Sequence, residues 1–424
     1  MIKHFLTNSN NIDKDSYLWN MIGSMLNAFQ SVIFLMILTR AVDLYEAGVF
    51  TIAYANANLF LNIGKYGVRN FQVSDARNQF NFQEYKISRY ITVILMIIIS
   101  ILYTIYSSNV NNYEQEKSLT IIWMCLFKAV DALEDVYHGL YQRNDRLDVA
   151  GKCMTIRMVL TIIIFGVCLI FYKKLLPSLI VTTISTTIIY IILNSLCYSK
   201  FKVEFEVPDI KSVSNKQIIN ILKICFPLFL GLFLAFYIGN APKYAIDSTL
   251  SSESQAIYGF IAMPVFVIGL LNSFIFNPVI AKMSIMWSDQ NYNSFKKLLL
   301  KQILVIVAII FICEIGAFIL GIPVLSILYH TDLHGYKAEL LILLLGGGFL
   351  AFSGLFVTIL TIMRKQTTLA IGYIIVSLMA LIMSPIFVKK YEIMGAAVLY
   401  LVLMIILCVI FAIPMILILK KHSK

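Results

Sequence analysis

Apolar stretches of about 20 residues alternate with short polar gaps along the whole chain, the pattern of helices that cross a hydrocarbon layer about 30 Å thick. It predicts spans at Tyr17–Leu38, Tyr45–Gly64, Tyr90–Ser107, Leu119–Leu140, Cys153–Tyr172, Leu176–Tyr198, Ile221–Ile246, Ala256–Ile280, Gln302–Ile319, Leu340–Met363, Leu369–Val388 and Ile393–Leu419. Backbone polar groups find no water in lipid, so each span is expected to be a helix. The polar stretch Met1–Asp15 lacks the short apolar core of a cleaved leader, so the first span is expected to be retained.

Composition agrees with that pattern. Of 424 residues, 13% are charged and 59% hydrophobic, and the mean hydropathy is +0.83. A soluble domain carries about 25% charged residues, so the fold class is an all-α membrane protein. The net charge of +11 does not indicate nucleic acid, because the basic residues sit in the gaps between spans. Twelve spans put both termini on one side. The gaps on that side hold about 24 basic residues, among them Lys65, Arg69, Arg77, Arg89, Arg143, Lys152, Lys211 and Lys424. The opposite gaps hold about 8, among them Arg40, Lys117, Lys174, Lys243 and Lys337. This threefold bias makes the first side cytoplasmic, with both termini expected inside. Seven single cysteines without a C-x-x-C pair argue against a zinc site or a disulfide framework. No phosphate-binding G-x-x-x-x-G-K-[ST] motif is present, and no cofactor is expected.

A weak internal repeat divides the chain. Gly48-Val49-Phe50-Thr51-Ile52-Ala53 in span 2 is echoed by Ala256-Ile257-Tyr258-Gly259-Phe260-Ile261 in span 8. Arg143 followed by Gly151 is echoed by Arg364 followed by Gly372. Six spans separate each pair of copies, an even number, so the halves are parallel repeats of the kind that rock about a central site. The expected organisation is a six-helix bundle over residues 1–200, a cytoplasmic linker over 201–223 and a second six-helix bundle over 224–424, with a central cleft.

Charges inside the membrane carry the candidate chemistry, since each costs about 2.5–3.5 kcal/mol at mid-depth on insertion scales. Span 4 contains Lys128, Asp131, Glu134, Asp135 and His138. Steps of three and four residues place Lys128, Asp131, Asp135 and His138 on one face. Arg157 in span 5 falls at the depth of Asp135. The two read either as a structural ion pair or as part of a wet cavity for an anionic headgroup. Glu314 in span 9 has no basic residue near it in its own helix; it reads as an ion-coupling carboxylate or as a protonated acid bonded to backbone. Polar stripes run along span 1 (Asn20, Ser24, Asn27, Ser31), span 2 (Tyr54, Asn58, Asn62) and span 7 (Tyr237, Asn240, Tyr244, Asp247, beside Lys243). Span 8 adds Asn272, Asn277 and Pro278. Such stripes line cavities or join helices. Pro227, Gly231, Gly239 and Pro242 predict a bend in span 7. His330-Thr331-Asp332-Leu333-His334 has metal-like spacing but falls in an external gap, and Gly346-Gly347-Gly348 reads as close helix packing or a hinge.

The run Leu38-Thr39-Arg40-Ala41-Val42-Asp43-Leu44-Tyr45-Glu46-Ala47-Gly48-Val49-Phe50 resembles the opening of bacterial polysaccharide flippases of the Wzx type, in the multidrug/oligosaccharidyl-lipid/polysaccharide exporter superfamily. Asn62-Ile63-Gly64-Lys65-Tyr66-Gly67-Val68-Arg69-Asn70 is similar to the glycine turn after span 2. Tyr391-Glu392-Ile393-Met394-Gly395-Ala396-Ala397 is similar to the turn before span 12. Two family glycines are replaced here, by Asp43 and Glu392. The resemblance implies paired six-helix bundles that move a polyprenyl-diphosphate-linked oligosaccharide from the inner to the outer leaflet for O-antigen or capsule synthesis, with ion antiport as drive. It implies no catalytic residues. A polysaccharide polymerase and other assembly proteins are the expected partners, beside membrane lipids.

On burial and charge, the substrate candidates are Lys128, Asp131, Asp135, Arg157, Asn27, Asn58, Tyr237, Asn240 and Lys243. The ion-coupling candidates are Glu314, Asp131 and Asp247. A multidrug or cation exporter of the same superfamily is the competing function. A membrane polymerase or acyltransferase is disfavoured, because no external gap exceeds about 20 residues.

Overall fold

The computed structural model describes residues 2–75, 79–205, 207 and 213–421, with backbone alone at 272–275 and 277–278. Arg77, Lys211 and Lys424, and the side chains of Asn272, Asn277 and Pro278, lie outside the described residues. Within them the chain is helical: α1 (Ile2–Thr7), α2 (Ile12–Ala41), α3 (Leu44–Lys65), α4 (Val68–Ser74), α5 (Phe82–Asn111), α6 (Gln115–Arg143), α7 (Leu147–Tyr172) and α8 (Leu175–Glu204). There follow α9 (Asn215–Thr249), α10 (Ser252–Ser288), α11 (Tyr292–Gly316), α12 (Ile322–Tyr329), α13 (Lys337–Ile362) and α14 (Gln366–Lys421). A π-helical turn, Ala317–Gly321, joins α11 to α12 into one span. The long α14 is two helices that meet at Glu392. Among the described residues this makes twelve long segments, those of the hydrophobic pattern.

Nine described helices are long and apolar enough to cross a membrane on length and composition, with α14 counted once. The long helices outside that set are α3 and α6, of 22 and 29 residues. At about 1.5 Å per residue, 22 residues still reach about 33 Å, enough for a bilayer core. Their hydropathy is lowered by Asn56, Asn58 and Asn62 on α3 and by the charges of α6.

The chain divides into two compact units, Met1–Phe233 and Leu234–Lys424, and the division falls inside α9. The prolines Pro227 and Pro242 do not interrupt α9, which runs as one helix from Asn215.

In unit 1, α6 is the central helix and packs against α3, α5, α7 and α8. From Phe127 to Tyr141 every residue except Leu133 is buried. A helix enclosed on all sides must be apolar or must have its polar groups paired. Phe34 of α2 stacks on Phe165 of α7 at 4.0 Å and reaches Phe127 of α6 at 6.1 Å, an apolar layer that abuts the charges, with Lys128 Nζ 5.4 Å from the Phe127 ring centre.

In unit 2, α13 packs against α10, α11 and α14. Its three consecutive glycines turn to three neighbours in succession. A Cβ on Gly346 would lie 2.6 Å from the Tyr400 ring, one on Gly347 2.9 Å from Val265, and one on Gly348 2.5 Å from Ile310. Successive helical residues point about 100° apart, so a glycine triplet lets three helices approach one backbone.

The two replaced glycines have different explanations. Asp43 has φ −119°, and its side chain accepts the Glu46 N–H at 2.9 Å. It is the N-cap of α3, a role that suits Asp and needs no positive φ. Glu392 has φ +50° and ψ −131°, a conformation that belongs to glycine. There a glutamate side chain sits on a backbone that suits glycine.

Candidate functional site

The site grows from the end of α3. Helix termini leave backbone carbonyls without partners. Here the chain leaves α3 through two left-handed residues, Tyr66 (φ +48°) and Gly67 (φ +67°). The Gly64 carbonyl is taken instead by Arg89 Nη1 at 2.6 Å and Thr92 Oγ1 at 2.8 Å, both from α5. Arg89 Nη2 then donates to Asp135 Oδ2 at 2.7 Å. Arg69 of α4 lies 3.5 Å from the other Asp135 oxygen and donates to Gln142 Oε1 at 2.8 Å.

A second cluster faces α7. Arg157 Nε donates to Glu134 Oε2 at 2.9 Å, and Arg157 Nη2 lies 2.7 Å from Glu134 Oε2 and 2.8 Å from Asp131 Oδ1. Lys128 Nζ donates to Asp131 Oδ2 at 3.0 Å and to Gln30 Oε1 of α2 at 2.9 Å, and sits 4.7 Å from the Tyr54 ring centre. His138 Nε2 lies 3.6 Å from Glu134 Oε1.

Two sequence expectations are corrected here. Arg157 pairs with Glu134 and Asp131, and Asp135 pairs with Arg89 and Arg69. Spacing could not choose between them, because Glu134 and Asp135 stand three and four residues from Asp131 and both steps stay on one face. The enclosure of α6 decides it, since neighbours about 100° apart serve different helices. Arg89, counted as a residue of a cytoplasmic gap, is fully buried inside the bundle. The α5 helix begins at Phe82, two turns before the apolar run that located its span, and carries Arg89 inward.

Around these pairs is a cavity of about 330 Å³ in unit 1, lined by Asn20, Ser24 and Asn27 of α2, Lys65, Arg69, the α6 acids with His138, and Arg157 with its α7 neighbours. Five cations (Lys65, Arg69, Arg89, Lys128, Arg157) stand in or beside the cavity against three carboxylates, an excess of two positive charges with histidine counted as neutral. Lys65 lines the cavity half-buried; among the described residues it makes no hydrogen bond or close ion pair, and it attracts Asp131 and Asp135 only at longer range. Arg157 Nη1, though buried, also donates no hydrogen bond.

Of the residues chosen from sequence, Asn27, Asp131, Asp135 and Arg157 line this cavity. Lys128 does not; it is 2% exposed and committed to Asp131 and Gln30. Asn58 bonds back to the Tyr54 carbonyl and Asn240 to that of Phe236, each within its own helix. Tyr237 and Tyr244 stack at 5.9 Å, on the helix that also carries Lys243 and Asp247 in unit 2. Glu314 is half-buried in α11, and its Oε1 accepts no hydrogen bond. His334 contacts Asp332 at 2.6 Å in a solvent-exposed turn, where the hydrogen bonds from His334 hold the Asp332 carboxyl below its usual range.

Sequence reasoning missed Lys65, Arg69, Arg89, Glu134 and Gln30 as parts of one site. The glycine turn that follows Lys65 was the available signal, since a tight return of the chain brings α4 back against α6.

Solved structures share this fold. An inward-facing multidrug resistance MATE family transporter of the MOP superfamily aligns with a TM-score of 0.69 at 11% identity, over 96% of this chain and 99% of its own. The bent form of the Vibrio cholerae MATE transporter VcmN gives 0.59 at 14%, over 97% and 98%. A MOP superfamily transporter from Pyrococcus furiosus, described as having a binding pocket of reversed polarity, gives 0.57 at 13%, over 100% and 98%. The chain is thus a multi-pass membrane protein with the fold of MOP-superfamily transporters.

Residues 14–284 match the family described as polysaccharide biosynthesis protein, and the chain belongs to that family. It is 25% identical over 385 residues to the capsular polysaccharide biosynthesis protein CapF of Staphylococcus aureus, covering 89% of this chain and 92% of that protein.

Proposed function

We propose that the protein is a flippase that moves polyprenyl-diphosphate-linked oligosaccharide repeat units from the inner to the outer leaflet of the bacterial cytoplasmic membrane, for capsule or related surface polysaccharide. The observation that carries this reading is the cationic excess of the unit 1 cavity. A diphosphate brings two negative charges to a place of low dielectric, where it needs cations with free donors. Lys65 and Arg157 Nη1 are such donors, and Arg69 stands beside them. Asn27, Asp131 and Asp135 offer hydrogen-bond partners to sugar hydroxyls. Lys128 acts from behind by fixing Asp131. Lys65, Arg69 and Asp135 lie toward the helix ends that the charge bias assigns to the cytoplasm, where a lipid-linked precursor is made, while Asn27 and Lys128 lie near mid-helix.

In this reading an ion gradient drives alternating exposure of the site, with Glu314, Asp247 and Asp131 as coupling carboxylates. Tyr237, Asn240 and Lys243 form a second polar stripe for the sugar chain. Family membership and the likeness to CapF support polysaccharide as the cargo. A polymerase that consumes the flipped unit is the partner this implies.

The test is the leaflet distribution of lipid-linked oligosaccharide in cells depleted of the protein and complemented with Lys65→Ala/Arg69→Ala. Accumulation on the cytoplasmic leaflet, relieved by the wild type and not by the variant, is the expected result. An unchanged distribution together with altered export of small organic cations would replace this reading with that of a cation exporter.

A further inference from the structure

Among the described residues, four buried polar atoms of the unit 1 cavity wall make no hydrogen bond: Asp131 Oδ1, which lies 2.8 Å from Arg157 Nη2 as an ion pair, and three others, Arg157 Nη1, Glu134 Oε1 and His138 Nε2. These three are linked through one carboxylate. Glu134 commits Oε2 to Arg157 at 2.7 Å and presents Oε1 to His138 Nε2 at 3.6 Å, a gap just beyond a hydrogen bond.

The charged and titratable groups around this pair come from every neighbouring helix. They are Lys65 of α3, Arg69 of α4 and Arg89 of α5. From α7 and α8 come Arg157, Cys153 and Tyr190, with Cys197 behind Tyr141. Asp131, Asp135 and Tyr141 share α6 with the pair. His138 is the imidazole in this set, and its buried Nε2 has no hydrogen-bond partner, which leaves a site where a proton can be accepted.

An anion that enters the cavity competes with Glu134 for Arg157. Each bond it takes leaves Glu134 less compensated, and an uncompensated carboxylate inside a membrane protein is costly. We propose that His138 makes up the loss: binding of a diphosphate at Arg157 is accompanied by uptake of one proton on His138 Nε2, and the resulting imidazolium pairs with Glu134. The proton comes from cytoplasmic water and returns to water when the anion leaves, so only an N–H bond forms and breaks. This inference rests on the flippase reading above and deepens it. It makes the cargo and a proton bind together, and by linkage each raises the affinity for the other.

The experiment uses the purified full-length protein in detergent and a farnesyl diphosphoryl sugar, a diphosphate diester whose own charge stays constant over the range. Ligand is added in weakly buffered solution with a pH-sensitive dye, and affinity is measured from about pH 5.5 to 8.5. One proton taken up per ligand bound, with affinity rising as pH falls by up to about tenfold per unit, is the expected result. In His138→Gln, uptake disappears and the affinity becomes independent of pH. Binding with no proton uptake by the wild type overturns the inference and leaves the flippase reading standing. The same slope in His138→Gln also overturns it. Absence of binding at every pH overturns both. The wild-type dye measurement stands by itself if the variant fails to fold.

Discussion

The two units handle buried charge in opposite ways. Unit 1 concentrates it: five cations and three carboxylates interlock across α3, α4, α5, α6 and α7, and nearly every one has an ionic partner. Unit 2 isolates it: Glu314 stands on α11 with an oxygen that accepts no hydrogen bond, and the packing around α13 is set by glycines and apolar side chains. A network of paired charges fixes the positions of its members and makes each depend on the rest. A lone carboxylate fixes nothing, and its protonation is free to change. In the flippase we propose, unit 1 would hold the charged ligand in place and unit 2 would respond to an ion.

Removal of one partner from the network should have the largest effect. Glu134→Ala leaves Arg157 buried with half its counter-charge, and breaking a buried pair in this way costs about 3–5 kcal/mol. Loss of that size should appear as a large drop in the thermal unfolding midpoint in detergent. The double variant Glu134→Gln/Arg157→Met, which removes both charges, should be clearly more stable than Glu134→Ala. Equal destabilisation by the two would mean that packing, and not charge pairing, holds α6 to α7.

The packing of unit 2 gives the next effect. Gly348→Val puts a branched side chain where a Cβ alone would meet Ile310 at 2.5 Å. Overpacking of a filled interior costs about 1–3 kcal/mol, so a moderate fall in the unfolding midpoint is expected. A neutral result would show that α11 moves away from α13 easily, and unit 2 would then be the softer of the two.

These two variants also mark what could be read from the sequence. The spans were legible because their lengths are imposed by the bilayer, and the charged face of α6 was legible because charge in a span is rare. Pairing was not legible. Whether Arg157 meets Glu134 or Asp135 depends on which helices enclose α6, a fact of tertiary packing. Arg89 was hidden for a related reason: it precedes the apolar run of its span, and positive charge there reads as a cytoplasmic flank. Lys128 looked like the natural phosphate ligand at mid-depth, yet Gln30 from α2 completes its coordination and closes it off. Depth can be inferred from position along a span, whereas commitment to a partner cannot.

A smaller effect of opposite sign is expected at the junction within α14. Glu392 holds φ +50° and ψ −131°, and an L residue held in a glycine conformation stores of the order of 1–3 kcal/mol. Glu392→Gly releases that strain but adds backbone entropy to the unfolded chain, so a net gain of about 1 kcal/mol is expected. A raised unfolding midpoint checks it. A lowered one would mean that the Glu392 side chain has a binding role that compensates for its backbone.

The smallest effect on stability is expected at Glu314, and it tests the comparison most directly. Glu314→Gln keeps the shape and removes the ability to ionise. With no ion pair to break among the described residues and no hydrogen bond at Oε1 to lose, the unfolding midpoint should move by no more than the equivalent of about 0.5 kcal/mol. Binding of a diphosphate sugar should be retained, because the cavity proposed to hold it is lined by unit 1 residues. Transport in vesicles, by contrast, should lose its stimulation by an imposed ion gradient. Lys65→Ala, which removes a cation of the cavity and breaks no close ion pair among the described residues, should do the reverse and impair binding first. If Glu314→Gln destabilises the protein as much as a broken pair does, the carboxylate is a structural member of unit 2, and the division of labour between a holding unit and a responding one fails.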